Sequence, residues 1–394
     1  MSAVMKLPQQ DRAVATACLI KQSFWRRTRS YTHAKAPQTS ATRLEASLDD
    51  AAFDLQREEH LVSNNRSKTV LYLAYGSNLS IETFRGKRGI KPISQINVQV
   101  PCLRLTFDLP GVPYAEPCFA NSGSRDPEND PPTESRTVLN EKTPLLQATS
   151  EKEEYRKDAW HKGLIGVVYE VTPEDYAHII ATEGGGAAYH DILVYCHPFA
   201  SADPHAPVPR NPTLPPFKAH TLFAPATPPG EPPKHRGRFQ RPDTSYAQPS
   251  ARYLKLITDG AAELDLPHEY REYISSIRPY TMTSAKQRVG QFVFLSLWAP
   301  LIMATLAMAA IFQDEDGKSP EWLVTVSGAI FKGVWDSYDN FFKKLFGDGE
   351  RSITDGGQEV TQEEASGDPA PRRMPGLLSC GRSATDLEKA VAVR

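Results

Sequence analysis

Apolar positions are grouped along this chain in runs of two different periods. Leu71-Tyr72-Leu73-Ala74 is an uninterrupted apolar run that reads as a buried strand. It breaks at Gly76 and passes through Ser77-Asn78 into a segment expected to be helical, Leu79 to Phe84. Residues 94–107 alternate polar and apolar, the period of half-buried strands, and Pro110-Gly111 closes that segment before a rigid turn at 113–117. Gly163 to Val171 is a second buried strand. Thr172-Pro173-Glu174-Asp175 then has the signature of a helix start, with Thr as cap, Pro at the first position and acids in the first turn. This helix runs through Tyr176, Ile179 and Ile180 to Thr182-Glu183, where Gly184-Gly185-Gly186 stops it. Strands follow at 189–196 and 217–223. Helices begin at Pro249-Ser250, with Tyr253, Leu254, Ile257 and Ala261 on the apolar side, and at Pro267.

The remaining stretches set the domain organisation. Residues 1–66 form a basic, largely disordered N-terminal region; within its first 44 residues Lys6, Arg12, Lys21, Arg26, Arg27, Arg29, Lys35 and Arg43 stand against the single acid Asp11. Its first 44 residues fit either a mitochondrial transit peptide or a basic tail with affinity for anionic lipid. A domain spans 67–285, with insertions at about 121–160 and 224–248 too polar or too proline-rich to offset the entropy of ordering. Phe292 to Phe312 contains no charged residue, which is long enough to cross the hydrocarbon of a bilayer, so 290–313 is expected to be a transmembrane helix. A hydrophobic helix packed on the core or on a partner has the same pattern. Lys286 and Arg288 precede it and Asp314, Glu315 and Asp316 follow, which places the domain on the cytoplasmic side. Residues 320–346 repeat bulky apolar side chains at helical spacing with lysines interspersed, the pattern of an interfacial amphipathic helix, and 347–394 reads as a disordered tail.

Composition narrows the classes. The formal charge of −2 gives no reason to expect nucleic acid as a partner. The 33 prolines cluster between Pro110 and Pro249 and indicate long surface loops rather than a second core. Five scattered cysteines without CxxC spacing suggest free thiols in a reducing compartment, and no histidine–cysteine set has the spacing of a metal site.

Two places carry candidate chemistry. A strand–glycine–polar–helix junction at Gly76, Ser77 and Asn78 leaves backbone N–H groups without intrahelical partners, a ready site for a carboxylate or phosphate. Glu183 ends its helix beside the negative end of the dipole, where a cation is preferred, and a local rule broken at one spot points to function. The basic loop Arg85-Gly86-Lys87-Arg88-Gly89 reads more simply as a solvated turn than as a substrate contact.

Tyr75-Gly76-Ser77-Asn78-Leu79 resembles the opening motif of the γ-glutamylcyclotransferases. Two later stretches match the same family in order and rough spacing: Gly166-Val167-Val168-Tyr169-Glu170 with a helix ending in Glu183-Gly184 and Tyr189 after it, and Pro249-Ser250-Ala251-Arg252-Tyr253 with Leu266-Pro267-His268-Glu269-Tyr270. Residues 69–280 carry the resemblance, which is greatest to fungal members, some of which act in pathways to sulfur-containing metabolites. It implies an α+β fold, a small mixed β-barrel flanked by helices. It implies cyclisation of a γ-glutamyl amide to 5-oxoproline with release of the amine, without a cofactor. Glu183 would be the general acid/base, and Tyr75, Gly76, Ser77, Asn78, Leu79, Tyr189 and Tyr253 would bind substrate. The chain departs from animal members in the glycine-rich stretch after Glu183, one residue shorter. The other reading is a catalytically silent, membrane-tethered binding or scaffold protein with the same fold.

Overall fold

A computed structural model of the chain describes residues 35–53, 69–127, 157, 159–183, 190–224, 241–312 and 319–352. Among these the strands are β1 (Val70–Ala74), β2 (Ser94–Val100), β3 (Leu103–Val112), β4 (Glu116–Ser124), β5 (Leu164–Val171), β6 (His190–Pro198) and β7 (Phe217–Phe223). The helices are α1 (Ala41–Ala46), α2 (Pro173–Thr182), α3 (Ala251–Glu263), α4 (His268–Ser276), α5 (Ala285–Phe312) and α6 (Glu321–Ser337).

Five strands close a barrel in the order β1-β5-β2-β6-β7. Neighbours run antiparallel except at the seam, where β1 meets β7 parallel at Tyr72 and His220, so the barrel is mixed. Closure removes free sheet edges and covers both faces of the middle strands. Every residue of β1 is buried, and so are all of β5 but Glu170, which explains why both read as continuous apolar runs rather than as alternation.

β3 and β4 form a separate two-stranded ribbon. The turn expected to begin after Pro110-Gly111 starts later, because β3 continues through both residues to Val112. A ribbon outside the barrel has open edges, and there proline costs no ladder hydrogen bond. The expected helix from Leu79 to Phe84 is also redistributed. A 3-10 turn covers Ser77–Leu79, the chain extends at Ser80, and a wider π-type helix covers Glu82–Lys87.

Four expected stretches of disorder are partly structured. Residues 35–53, inside the 1–66 region, lie on the barrel: Gln95 N donates to Pro37 O (2.8 Å), Arg43 Nη2 to Thr69 O (2.7 Å) and Phe53 N to Asp191 Oδ2 (2.7 Å). Within 121–160, residues 121–124 belong to β4, and Lys157 is buried with its ammonium donating to Phe107 O (3.2 Å) and Ala247 O. At the end of the 224–248 stretch Arg241 bonds Asp339 and Glu350, and at the head of the 347–394 tail Gly349 and Glu350 are buried. In each case a polar segment meets acceptors or donors supplied from far along the chain, which its own composition cannot reveal. Residues 1–34, 54–66, 128–156, 158, 225–240 and 353–394 of these stretches, and Gly184 to Tyr189, lie outside the described residues.

A second apolar cluster lies away from the barrel, where Phe294 and Ile302 of α5 pack with Val334, Trp335, Tyr338 and Phe342 and with Tyr114 from the tip of the β3–β4 ribbon. Of the apolar positions expected to line one side of 320–346, Leu323, Val334 and Tyr338 are buried, while Val326, Phe341 and Leu345 stay exposed. The segment is helical over Glu321–Ser337, widens at Tyr338–Phe342 and ends at Lys343–Phe346. By length and composition α5 could cross a membrane, and little of it is covered by protein.

Candidate active site

The turn after β1 and the end of α2 are brought to one cleft. β1 and β5 pair in register from Val70–Val171 to Ala74–Val167, so the chain leaving β1 and the helix entered from β5 share one side of the barrel. α2 starts where its sequence signals it, with Thr172 Oγ1 accepting from Asp175 N (3.1 Å). It ends at Glu183, whose amide still bonds back to Ile179 O (3.0 Å) while its backbone has left the helix.

The cleft, of about 40 Å³, is lined by Tyr75, Gly76, Ser77, Asn78, Glu183 and Tyr253, with Tyr72, Ala120, Thr221 and Leu222 completing the wall. Six of the eight residues singled out in the sequence therefore meet here. Leu79 is not among the lining residues; it is fully buried in the core. Tyr189 lies outside the described residues.

Glu183 is held by two donors on one oxygen. Asn78 Nδ2 donates to Oε1 at 2.9 Å and Arg88 Nη2 donates to the same atom at 2.7 Å. Arg88 Nη1 also donates to Thr182 Oγ1. The loop read as a solvated turn thus supplies the cation that a carboxylate at the negative end of a helix needs. The setting is consequently not a dry apolar wall: the Glu183 side chain is 23% exposed and ion-paired. No donor among the described residues is recorded on Oε2, so one carboxylate oxygen is fixed and the other is open.

Asn78 is buried, and its amide group donates twice, to Glu183 and to Tyr72 Oη (2.8 Å). A carboxylate only accepts, so the nitrogen must face it. Its Oδ1 has no hydrogen-bond partner among the described residues. Burial raises the phenols of Tyr72 and Tyr253, with the Glu183 charge adding to it, and pushes Tyr75 up to about 12. All three stay neutral hydroxyls at working pH.

Two close approaches hold the turn in place. Gly76 has φ −106°, so it is not required for a left-handed backbone; a Cβ there would stand 3.3 Å from Tyr253 Oη. Gly260 of α3 rests on the turn itself, where a Cβ would fall 2.4 Å from the Leu79 carbonyl carbon. α3 is started by Ser250, whose Oγ accepts from Tyr253 N (3.0 Å), and Tyr253 Oη accepts from Ala120 N (3.2 Å). Gly260 and the β4 wall carried no sequence signal of their own. Arg88 did: an acid at a helix C-terminus asks for a cation nearby. Among the described residues no group of three or more His, Cys, Asp and Glu could hold a metal ion.

Comparison with known proteins bears on both parts of the chain. Residues 284–345 match the family model described as the AclK C-terminal domain. The chain is 30% identical over 308 residues to the γ-glutamyl cyclotransferase gliK of Aspergillus fumigatus, covering 77% of this chain and 95% of that one. It is 29% identical over 298 residues to the γ-glutamyl cyclotransferase aclK of Aspergillus oryzae, covering 73% and 92%. A solved γ-glutamyl cyclotransferase structure aligns with 56% of this chain and 97% of its own at 16% identity and a TM-score of 0.33. The identity to gliK extends over nearly the whole of that relative; this chain belongs to the γ-glutamyl cyclotransferase family.

Proposed function

We propose that the chain cyclises a γ-glutamyl amide to 5-oxoproline with Glu183 as general acid/base. The observation that supports this reading is the carboxylate itself, fixed through Oε1 and open at Oε2 in the cleft that holds the Gly76–Asn78 turn. The substrate's α-ammonium loses a proton to Glu183, and the freed amine attacks the γ-carbonyl carbon. A C–N bond forms within the ring, and the exocyclic C–N bond breaks as Glu183 returns its proton to the departing nitrogen. The second proton that the ring nitrogen gives up passes through Glu183 to the freed amine, which leaves as an ammonium. Backbone N–H groups of the turn offset the charge on the carbonyl oxygen. Asn78 Oδ1, buried and without a partner among the described residues, suits the α-ammonium. Because nucleophile and electrophile belong to one molecule, holding it folded supplies about 7–11 kcal/mol of the barrier. Tyr75, Tyr189 and Tyr253 orient the glutamyl group.

Release of 5-oxoproline from a panel of γ-glutamyl amides, followed by mass spectrometry, tests this. Glu183→Gln should lose about 10²–10⁴ in rate while unfolding at the parental temperature. Full activity in that variant removes Glu183 from the mechanism. Binding of γ-glutamyl compounds by the parent chain with no turnover assigns it instead as a silent binding protein.

We also propose that the uncharged 292–312 run attaches the domain to a membrane, with the basic flank Lys286 and Arg288 keeping the domain on the cytoplasmic side.

A further inference from the structure

We propose that α5 and α6 enter the bilayer as a hairpin that does not cross it, with α5 among the acyl chains and a polar stripe of α6 at the headgroups. This rests on the membrane reading above and replaces a single crossing with a two-helix insertion from one side.

The two helices run antiparallel in register along their whole length. A Cβ at Gly290 would strike Phe346 (2.4 Å), Trp298 lies over Gly333 and donates from Nε1 to Ser337 Oγ (3.0 Å), and the rings of Phe312 and Trp322 meet at 5.6 Å. Both outer ends are tied to the domain. Gln287 Nε2 donates to Asp348 O and Gln291 Nε2 to Tyr114 O, each at 2.8 Å, while Arg241 grips Asp339 and Glu350. The chain therefore returns to where it left. One crossing is impossible in this arrangement; the pair crosses twice or not at all.

Charge decides between those two. α5 spans about 33 Å from Gly290 to Phe312 at 1.5 Å per residue, so two crossings would fit by length. They would, however, carry Asp314, Glu315, Asp316 and Lys318 to the far side. They would also sink the exposed Lys332–Asp336 ion pair, which lies level with Trp298, to the middle of the hydrocarbon. Each such side chain costs about 2.5–3.5 kcal/mol at the helix centre. Glu321, Thr325, Lys332 and Asp336 are all exposed and recur at spacings that keep them on one stripe of α6. α5 has no such stripe: Phe292 is 75% exposed, and Leu297, Leu301, Met303 and Leu306 are exposed beside it. A pair with one polar rail and one wholly apolar cylinder suits the interface, immersed by about 5–10 Å. The exposed Lys344, at the end anchored to the domain, adds attraction for anionic lipid.

The test is synthesis of the full chain with microsomes, flotation, and labelling of the floated fraction with a membrane-impermeant maleimide. The probe position is Asp316→Cys, with the parent chain as the control for its native thiols. The expected result is flotation with Asp316→Cys labelled equally before and after detergent. Flotation with labelling only after detergent overturns the one-sided hairpin and leaves membrane attachment standing. A chain that fails to float overturns both, and if it elutes as a dimer that Leu301→Glu dissolves, the α5 face belongs to a second copy. Leu301→Glu with Leu306→Glu should abolish flotation and leave 5-oxoproline release unchanged; a doubly substituted chain that still floats overturns the assignment of α5 as the immersed helix.

Discussion

Proton transfer at Glu183 depends on a geometry that neither its helix nor the turn can set alone. The carboxylate rotates freely about its last bond unless something holds one oxygen, and here Arg88 and Asn78 both do so. A hydrogen bond to a charged group is worth about 1.5–3 kcal/mol, and the pair is short and largely enclosed. Arg88→Ala should therefore lower kcat by about ten- to a hundredfold with little change in KM. Arg88→Lys should recover part of the loss, because a lysine restores the charge without the planar fork. Equal kcat in the alanine variant would show that Asn78 alone suffices. The acid at the end of a helix was visible in the sequence. It signalled the need for a cation but not which one, because Arg88 and Glu183 are joined only when the helix at Glu82–Lys87 is laid beside α2.

At the scale of elements, the site depends on what packs behind it. The Ser77–Leu79 turn is one short 3-10 loop with few bonds of its own, and α3 supports it by direct backbone contact at Gly260. Any side chain there meets main-chain atoms that cannot rotate away. Gly260→Ala should destabilise the protein by about 1–3 kcal/mol, read as a lower unfolding temperature, and raise KM as the turn shifts. An unchanged unfolding temperature would mean that α3 slides freely over the turn. The β3–β4 ribbon is the other supporting element: its β4 strand provides Ala120 to the cleft wall and to Tyr253, while its tip holds Tyr114 against the C-terminal helices. One ribbon thus touches both the cleft and the α5–α6 pair. Its strands alternate in the sequence, yet nothing local distinguishes a ribbon standing apart from a strand within the barrel.

The whole molecule is a barrel with a protruding helical hairpin, locked by a buried charge network. Arg241 stacks 4.2 Å from the Trp335 ring and bonds Asp339 and Glu350, and the Glu350 side chain is only 2% exposed. Removing the arginine would strand a buried acid, which costs about 3–5 kcal/mol. Arg241→Met is expected to loosen the hairpin from the barrel, seen as proteolysis between Tyr338 and Ser352 that the parent chain resists. Equal resistance would show that Gln287, Gln291 and Tyr114 hold the hairpin without it.

Sequence alone determined what depends on neighbours in the chain. The buried strands, the Thr172 and Ser250 caps, the breaking turn at Gly76, the helix that stops at Glu183 and the charge-free run of α5 all follow from residue order, because backbone preference and apolar period act over a few residues. Tertiary structure decided the rest. It chose which cation faces Glu183 and which helix supports the turn. It ordered polar segments at 35–53 and 347–352 through distant partners, and it folded α6 back along α5 so that both ends of the hairpin meet the domain. Those outcomes rest on contacts between residues tens to hundreds of positions apart, and such contacts exist only once the barrel has closed.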